Sequence, residues 1–471
     1  MRLDRLTGLA AAGLLTACAV GPDYERPELE MPEAWPDQAV LEPVADAELQ
    51  QWWRVFGDPV LDELVERALG DNLELRIQVA RVEEARARLG LARAEQLPTV
   101  DLQAEASRER QPAAAFGIEG FDAAPRTLFS VSGLLGYEID LWGRLARERE
   151  AAAADLEASV YAGEAVRLGL IADVVVTYAG LRSAQRQLRV TERTVAARQE
   201  SVRVRRLRYE AGAIGELELR QAESSLASAR AELPARIEEL RGRESALGIL
   251  LGMPPAVLFT AFDLPEGGLE KGAVPETIPV NLPADLLRRR PDLRAAESEL
   301  KMATAAVGVA AAARLPRLAL SGLIGTAAAD SAGLFSSEAE AWRVGAGLDG
   351  PLFDFGRARA RFESAEARLE AADLRYRATV AVALAEVRDA LAFYESSGQR
   401  LEAVEAQIRA LRRTEELAEI RYEAGYISII ELLDAQRALL AAELAQARAL
   451  ADRYVATATL FKALGGGWEV T

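Results

Sequence analysis

The chain has 471 residues, with 56 basic and 73 acidic side chains, no histidine and one cysteine, giving a formal charge of −17. This excludes histidine triads, imidazole bases and His metal ligands, as well as intramolecular disulfides and cysteine zinc sites. The acidic balance argues against nucleic-acid binding, which needs clustered Lys and Arg. Half of the residues are apolar, and Ala, Leu, Glu and Arg dominate, the composition of long helices.

Arg2 and Arg5 precede an apolar run from Leu6 to Ala17. That run is shorter than the ~20 residues that span a bilayer, and it fits the apolar core of a secretory signal. It ends in Leu15-Thr16-Ala17-Cys18, which resembles the bacterial lipobox. Residues 1–17 are therefore expected to be a signal peptide, and Cys18 the lipidation site and membrane anchor. The alternative is an unmodified Cys in an ordinary helix. Residues 18–57 read as a lipidated tether, because Gly21-Pro22-Asp23-Tyr24-Glu25-Arg26-Pro27 is turn-rich. No later stretch is long and apolar enough for a transmembrane helix.

The chain then repeats itself. Arg208-Tyr209-Glu210-Ala211-Gly212 recurs 213 residues on as Arg421-Tyr422-Glu423-Ala424-Gly425. Upstream the offset is 218, with Leu97-Pro98 mapping onto Leu315-Pro316. The five-residue difference falls between Pro98 and Gly143. Two repeats are expected, at 58–251 and 284–464, joined by a Pro-rich connector at 252–283 and followed by a tail at 465–471. Each opens with a helix (Leu61–Gln96; Ala284–Arg314) stopped by Leu-Pro. Two strands follow in each, because Val100, Leu102, Ala104 and Ala106 alternate with Asp101, Gln103, Glu105 and Ser107. Their partner is expected at Thr127–Asp140, and the second pair at Pro316–Thr326 and about Ala341–Asp354. A long helix comes next, with apolar residues seven apart (Leu181, Leu188, Val195, Val202, Tyr209; Val380, Val387, Tyr394, Leu401, Ile408), the spacing of coiled-coil packing. Gly212 and Gly425 then suit helix ends with positive φ. Gly143 and Gly356 are placed at strand-to-helix transitions.

Four amphipathic strands cannot close a barrel, which takes ~8 or more. Three chains would supply twelve. At this point the residues match a family. The chain resembles outer membrane factors of the TolC/OprM/NodT type, through Trp52-Trp53-Arg54-Val55-Phe56-Gly57-Asp58-Pro59, Leu282–Glu297, Pro351–Arg357, the paired RYEAG motifs, Leu432–Arg437 and Lys462–Trp468. The resemblance implies a mainly α fold with a membrane β-barrel portion. In it a homotrimer forms a 12-stranded β-barrel above a 12-helix α-barrel. The function implied is that of an outer membrane exit duct in a tripartite RND-type efflux pump, passing drugs or metals from the periplasm. Its implied partners are a periplasmic adaptor (a membrane fusion protein), an inner-membrane RND transporter and outer-membrane lipid, with no cofactor, no metal and no enzymatic activity. A type I secretion exit duct and a structural periplasmic coiled-coil lipoprotein are the alternatives.

By the same resemblance, a periplasmic gate falls on Ile430, Glu431 and Asp434, with Glu218 at the matching place of the first copy. Residues 431 and 434 share one helix face, so threefold symmetry would make rings of negative charge. A solvated helix face is the plain alternative. Tyr209, Gly212, Tyr422 and Gly425 are tip-turn candidates for adaptor docking, or residues that only turn and pack.

Overall fold

The computed structural model describes residues 19–32, 50–110, 124–254 and 285–467, with short pieces at 41–42, 264, 269, 274 and 278–279. Residues 1–18, most of 252–283 and 468–471 lie outside the described residues, so the signal peptide, Cys18, most of the connector and the end of the tail do too. The chain divides into two units. The first takes in 1–28, 81–159 and 295–376, and the second 29–80, 160–294 and 377–471.

In chain order the strands are β1 (Leu41–Glu42), β2 (Thr99–Glu109), β3 (Arg126–Ile139), β4 (Ile278–Pro279), β5 (Arg317–Ala328) and β6 (Glu340–Asp349). The helices are α1 (Pro59–Asp71), α2 (Leu73–Ala94), α3 (Arg144–Glu210), α4 (Glu216–Leu250), α5 (Leu286–Arg289), α6 (Pro291–Ala312), α7 (Arg357–Glu423) and α8 (Ile429–Ala463).

The first unit holds a four-stranded antiparallel sheet in the order β2-β3-β5-β6. Val100, Leu102, Ile324, Trp342 and Val344 share one face, and each is at least 75% exposed. Asp101, Gln103 and Glu105 share the other face with Ser130 and Ser132. Among the described residues, the outer edges of β2 and β6 are unpaired.

The register shows how closely the repeat is kept. Thr99 pairs with Gly136, and Arg317 with Asp349. The offsets are 317 − 99 = 218 and 349 − 136 = 213, so the five-residue difference lies wholly in the hairpin loops. β6 stops at Asp349, short of the expected Asp354, because the next positions across and along the ladder are Pro316 and Pro351, which have no amide to donate.

Also in this unit, the tether is strapped to α6. Tyr24 Oη and the Arg26 guanidinium both donate to the buried Glu297 carboxylate, Arg26 at 2.7 Å. Gly21 lies so close to Gly308 that a Cβ would stand 2.4 Å from the Gly308 Cα.

In the second unit, the Trp52–Phe56 turn packs its rings on α8. Trp52 stacks on Phe461 at 5.2 Å and Phe56 on Tyr454 at 4.4 Å. Asp58 caps α1 through the Val60 amide and accepts the Tyr178 hydroxyl at 2.5 Å. Trp52, Phe56, Tyr178 and Tyr454 are all nearly fully buried, each such side chain contributing ~1.5–3 kcal/mol.

The single opening helix expected in each repeat is instead two helices, and the break falls at equivalent positions, Asn72 and Arg290. At Asn72 the backbone is extended. The side-chain amide donates to the Leu250 carbonyl, while its oxygen accepts the Leu75 amide and starts α2. Arg290 precedes Pro291, which drives it out of the α region. Its buried guanidinium binds Asp292, Glu386 and the Ala463 carbonyl that ends α8.

α3 and α7 have 67 residues each, a length of ~100 Å at ~1.5 Å per residue. On the heptad seams, Leu181, Val202, Val380, Val387, Tyr394 and Ile408 are buried, whereas Tyr209 is exposed. Pro234 sits inside α4 without ending it.

Candidate functional site at the helix turns

Both long helices end in the same turn. At the first, the Gly212 amide bonds to the Tyr209 carbonyl and the Ala213 amide to the Arg208 carbonyl. At the second, Gly425 bonds to Tyr422 and Tyr426 to Arg421. The glycines have φ of +71 and +76, a conformation that costs other residues ~1 kcal/mol or more.

The next helix starts differently in the two copies. α8 begins at Ser428, where a full capping box forms. The Ser428 amide and hydroxyl both donate to Glu431 Oε2, at 2.8 and 3.0 Å, and the Ser428 side chain in turn receives the amide of residue 431. These bonds hold the Glu431 carboxyl below the usual glutamate range. α4 begins at Gly215, the repeat equivalent of Ser428, which has no side chain for a box. Glu218, the equivalent of Glu431, is thereby released and accepts the Tyr422 hydroxyl at 2.9 Å. Burial, reinforced by the Glu218 carboxylate, raises the Tyr422 phenol above its ordinary value. The buried Arg205 lies over the ring, its guanidinium carbon 5.2 Å from the centroid.

The candidate residues therefore fall into separate groups. Glu218 and Tyr422 are joined across the two repeats, whereas Tyr209, the copy of Tyr422, is exposed. Glu431 serves its own helix start, Asp434 pairs with Arg437 in the next turn, and Ile430 is exposed. Arg205, Gly215 and Ser428 were absent from the sequence-based set. The Ser-x-x-Glu pattern at 428–431 is the signal that could have found the last of these.

Gly143 and Gly356 stand just before α3 and α7, with φ of +74 and +84. Asp140 and Asp354 cap these helices through the Ala146 and Ala358 amides. Gly143 also faces Ala19, because an added Cβ would come within 2.7 Å of the Ala19 Cβ. Chemically, the turns offer carboxylates, a tyrosine hydroxyl and guanidinium groups, which suit a hydrogen-bonded latch and a charged surface.

A protein family described as outer membrane efflux protein matches residues 64–253 and 282–466. Outer membrane protein OprJ of Pseudomonas aeruginosa is 33% identical, over 98% of this chain and 96% of its own length. Toluene efflux pump outer membrane protein TtgI of Pseudomonas putida is 33% identical, over 97% of each chain. The solved structure of the outer-membrane channel OprN superposes with a TM-score of 0.86 at 33% identity, covering 96% of this chain and all of that one.

Proposed function

The chain belongs to the outer membrane efflux protein family, an outer membrane channel of multicomponent efflux pumps that extends into the periplasm, and from that premise we propose its assembly, anchor and gate. Three copies form the conduit. The observation that carries this is the four-stranded sheet with an exposed apolar face and, among the described residues, two open edges. Such edges are a liability in a monomer, and closure with two further copies removes them. An adaptor docks at the turns around Gly212 and Gly425 and links the channel to an inner-membrane RND transporter. Cys18, the residue before Ala19 in the chain, carries lipid. The cargo is small molecules, drugs or metals; TtgI is named for toluene.

The gate lies at the turns. Tyr422 and Glu218 latch the two repeats together at 2.9 Å, and threefold symmetry repeats Glu431 and Asp434 as rings of negative charge that favour cations. Asp434 is partly offset by Arg437, so Glu431 carries the larger share of the field. The test is single-channel conductance in planar bilayers. Glu431→Ala with Asp434→Ala is expected to raise it and to reduce cation preference, and Tyr422→Phe is expected to raise it by unlatching. Unchanged conductance in both variants would remove the gate.

A further inference from the structure

The repeat makes the two hairpins equivalent, and that equivalence bears on the one ladder a single chain leaves open. The β2–β3 and β5–β6 registers coincide under the offsets of 218 and 213. The remaining ladder of the four-stranded sheet, β3–β5, joins the first repeat to the second. In a closed ring the second repeat must also join the first repeat of the next copy, through β6 and β2. Sheet order and strand direction make that pairing antiparallel, like the β3–β5 ladder.

We infer that β6 of one copy pairs with β2 of the next in the register of β3–β5, placing Arg343 opposite Glu109. This rests on the trimer reading above. Ser130 pairs with Ala327 in β3–β5, and their repeat equivalents are Arg343 and Glu109. Gly136 pairs with Ser321, and their equivalents are Asp349 and Gln103. Seven pairs follow, from Arg343–Glu109 to Asp349–Gln103. Leu348 and Ala346 then meet Ala104 and Ala106 on the apolar face. Gly347 and Gly345 meet Glu105 and Ser107 on the polar one.

Charge supports the same register. Opposite charges directly across a strand pair are favourable, and like charges there are unfavourable. Arg343 is exposed on the polar face at the open edge of β6, and Glu109 stands on the matching face of β2, already opposite Arg126 within its own hairpin. The pairing thus sets one carboxylate between two guanidinium groups. A slip of two residues would put Arg343 on Ser107 and Asp349 on Asp101, trading an ion pair for a repulsion. A slip of one residue would turn the apolar face of β2 against the polar face of β6. Charge alone would also accept Asp101 or Glu105 opposite Arg343; the internal repeat selects Glu109.

The test uses the full-length trimer in detergent, with paired cysteines and a mild oxidant. Arg343→Cys with Glu109→Cys is expected to give covalent dimers and trimers on non-reducing gels. Arg343→Cys with Asp101→Cys should give none, because eight residues along a strand are about 26 Å. Preferential cross-linking to a cysteine at 107, 105 or 101 would overturn the register while leaving the trimer intact. So would no cross-link in any pair when native mass spectrometry still finds three chains. A monomer by mass would overturn the trimer itself. As a second readout, Arg343→Glu should lower by several degrees the temperature at which the trimer dissociates, and adding Glu109→Arg together with Arg126→Glu, which keeps opposite charges across both ladders, should restore it. Failure of that restoration, with 343–109 cross-linking lost as well, would also count against the pairing.

Discussion

Arg290 offers the sharpest energetic test of the fold that supports the channel. Its side chain is 8% exposed, and it holds three groups at once, Asp292 at 2.7 Å, Glu386 at 2.6 Å and the Ala463 carbonyl at 3.0 Å. In Arg290→Ala the buried carbonyl loses this donor, which costs ~1–3 kcal/mol. The two carboxylates are 38% and 51% exposed, so water replaces much of what they lose, and their joint share is ~1 kcal/mol after screening. The sum is about 3 kcal/mol, with the carbonyl as its larger part. The assay is the urea midpoint of the fluorescence transition of Trp52 and Trp53, which lie in the same unit. Arg290→Ala should lower it clearly, Arg290→Lys about half as much, and Glu386→Gln by little. The reasoning fails if Arg290→Ala leaves the midpoint unchanged. It fails equally if Glu386→Gln costs as much, since the ion pair rather than the helix end would then carry the energy.

Gly215→Ser should install in the first repeat the box that Ser428 and Glu431 form in the second, drawing Glu218 away from Tyr422; conductance rises, and an unchanged value would separate the latch from the cap. Ser428→Ala should cost ~1 kcal/mol, the usual worth of a helix cap, read as faster amide hydrogen exchange at the start of α8. Because the Glu431 carboxyl is held below its ordinary value, its support for α8 is present above the unfolded glutamate range and fades as pH falls through its own lowered one. Glu431→Gln should therefore flatten the pH dependence of that exchange. Arg26→Ala takes the charge partner from Glu297, 5% exposed, while the Tyr24 hydroxyl still donates to it; with Arg26 itself 47% exposed, a loss of ~1–2 kcal/mol is expected, and adding Glu297→Gln should recover part of it in a thermal melt.

The features readable from sequence were those set by local chemistry. The heptad seams, the two positive-φ glycines and the alternating strand β2 each carry their signal within a few residues. The constant offset also implied the duplicate architecture that the sheet register follows residue by residue. Features that depend on distant partners were harder. Nothing near Asn72 in the chain indicates that the Leu250 carbonyl will take its side-chain amide. Which tyrosine reaches Glu218 depends on a contact 204 residues away, so the motif named both residues without joining them. Pro291 and Pro351 were legible signals whose local rule prevailed in the fold over the apolar periodicity around them.

Duplication leaves a protein with two versions of every part, and the turns show what that permits. One copy keeps serine at the helix start, and its glutamate is committed to local scaffolding. The other has glycine there, and the same glutamate becomes an arm that reaches into the sister repeat. A single residue thus separates a carboxylate that caps its own helix from one that joins the two repeats. On the proposed gate, a change at position 215 alone would decide whether the two repeats are joined at this turn, with every carboxylate kept.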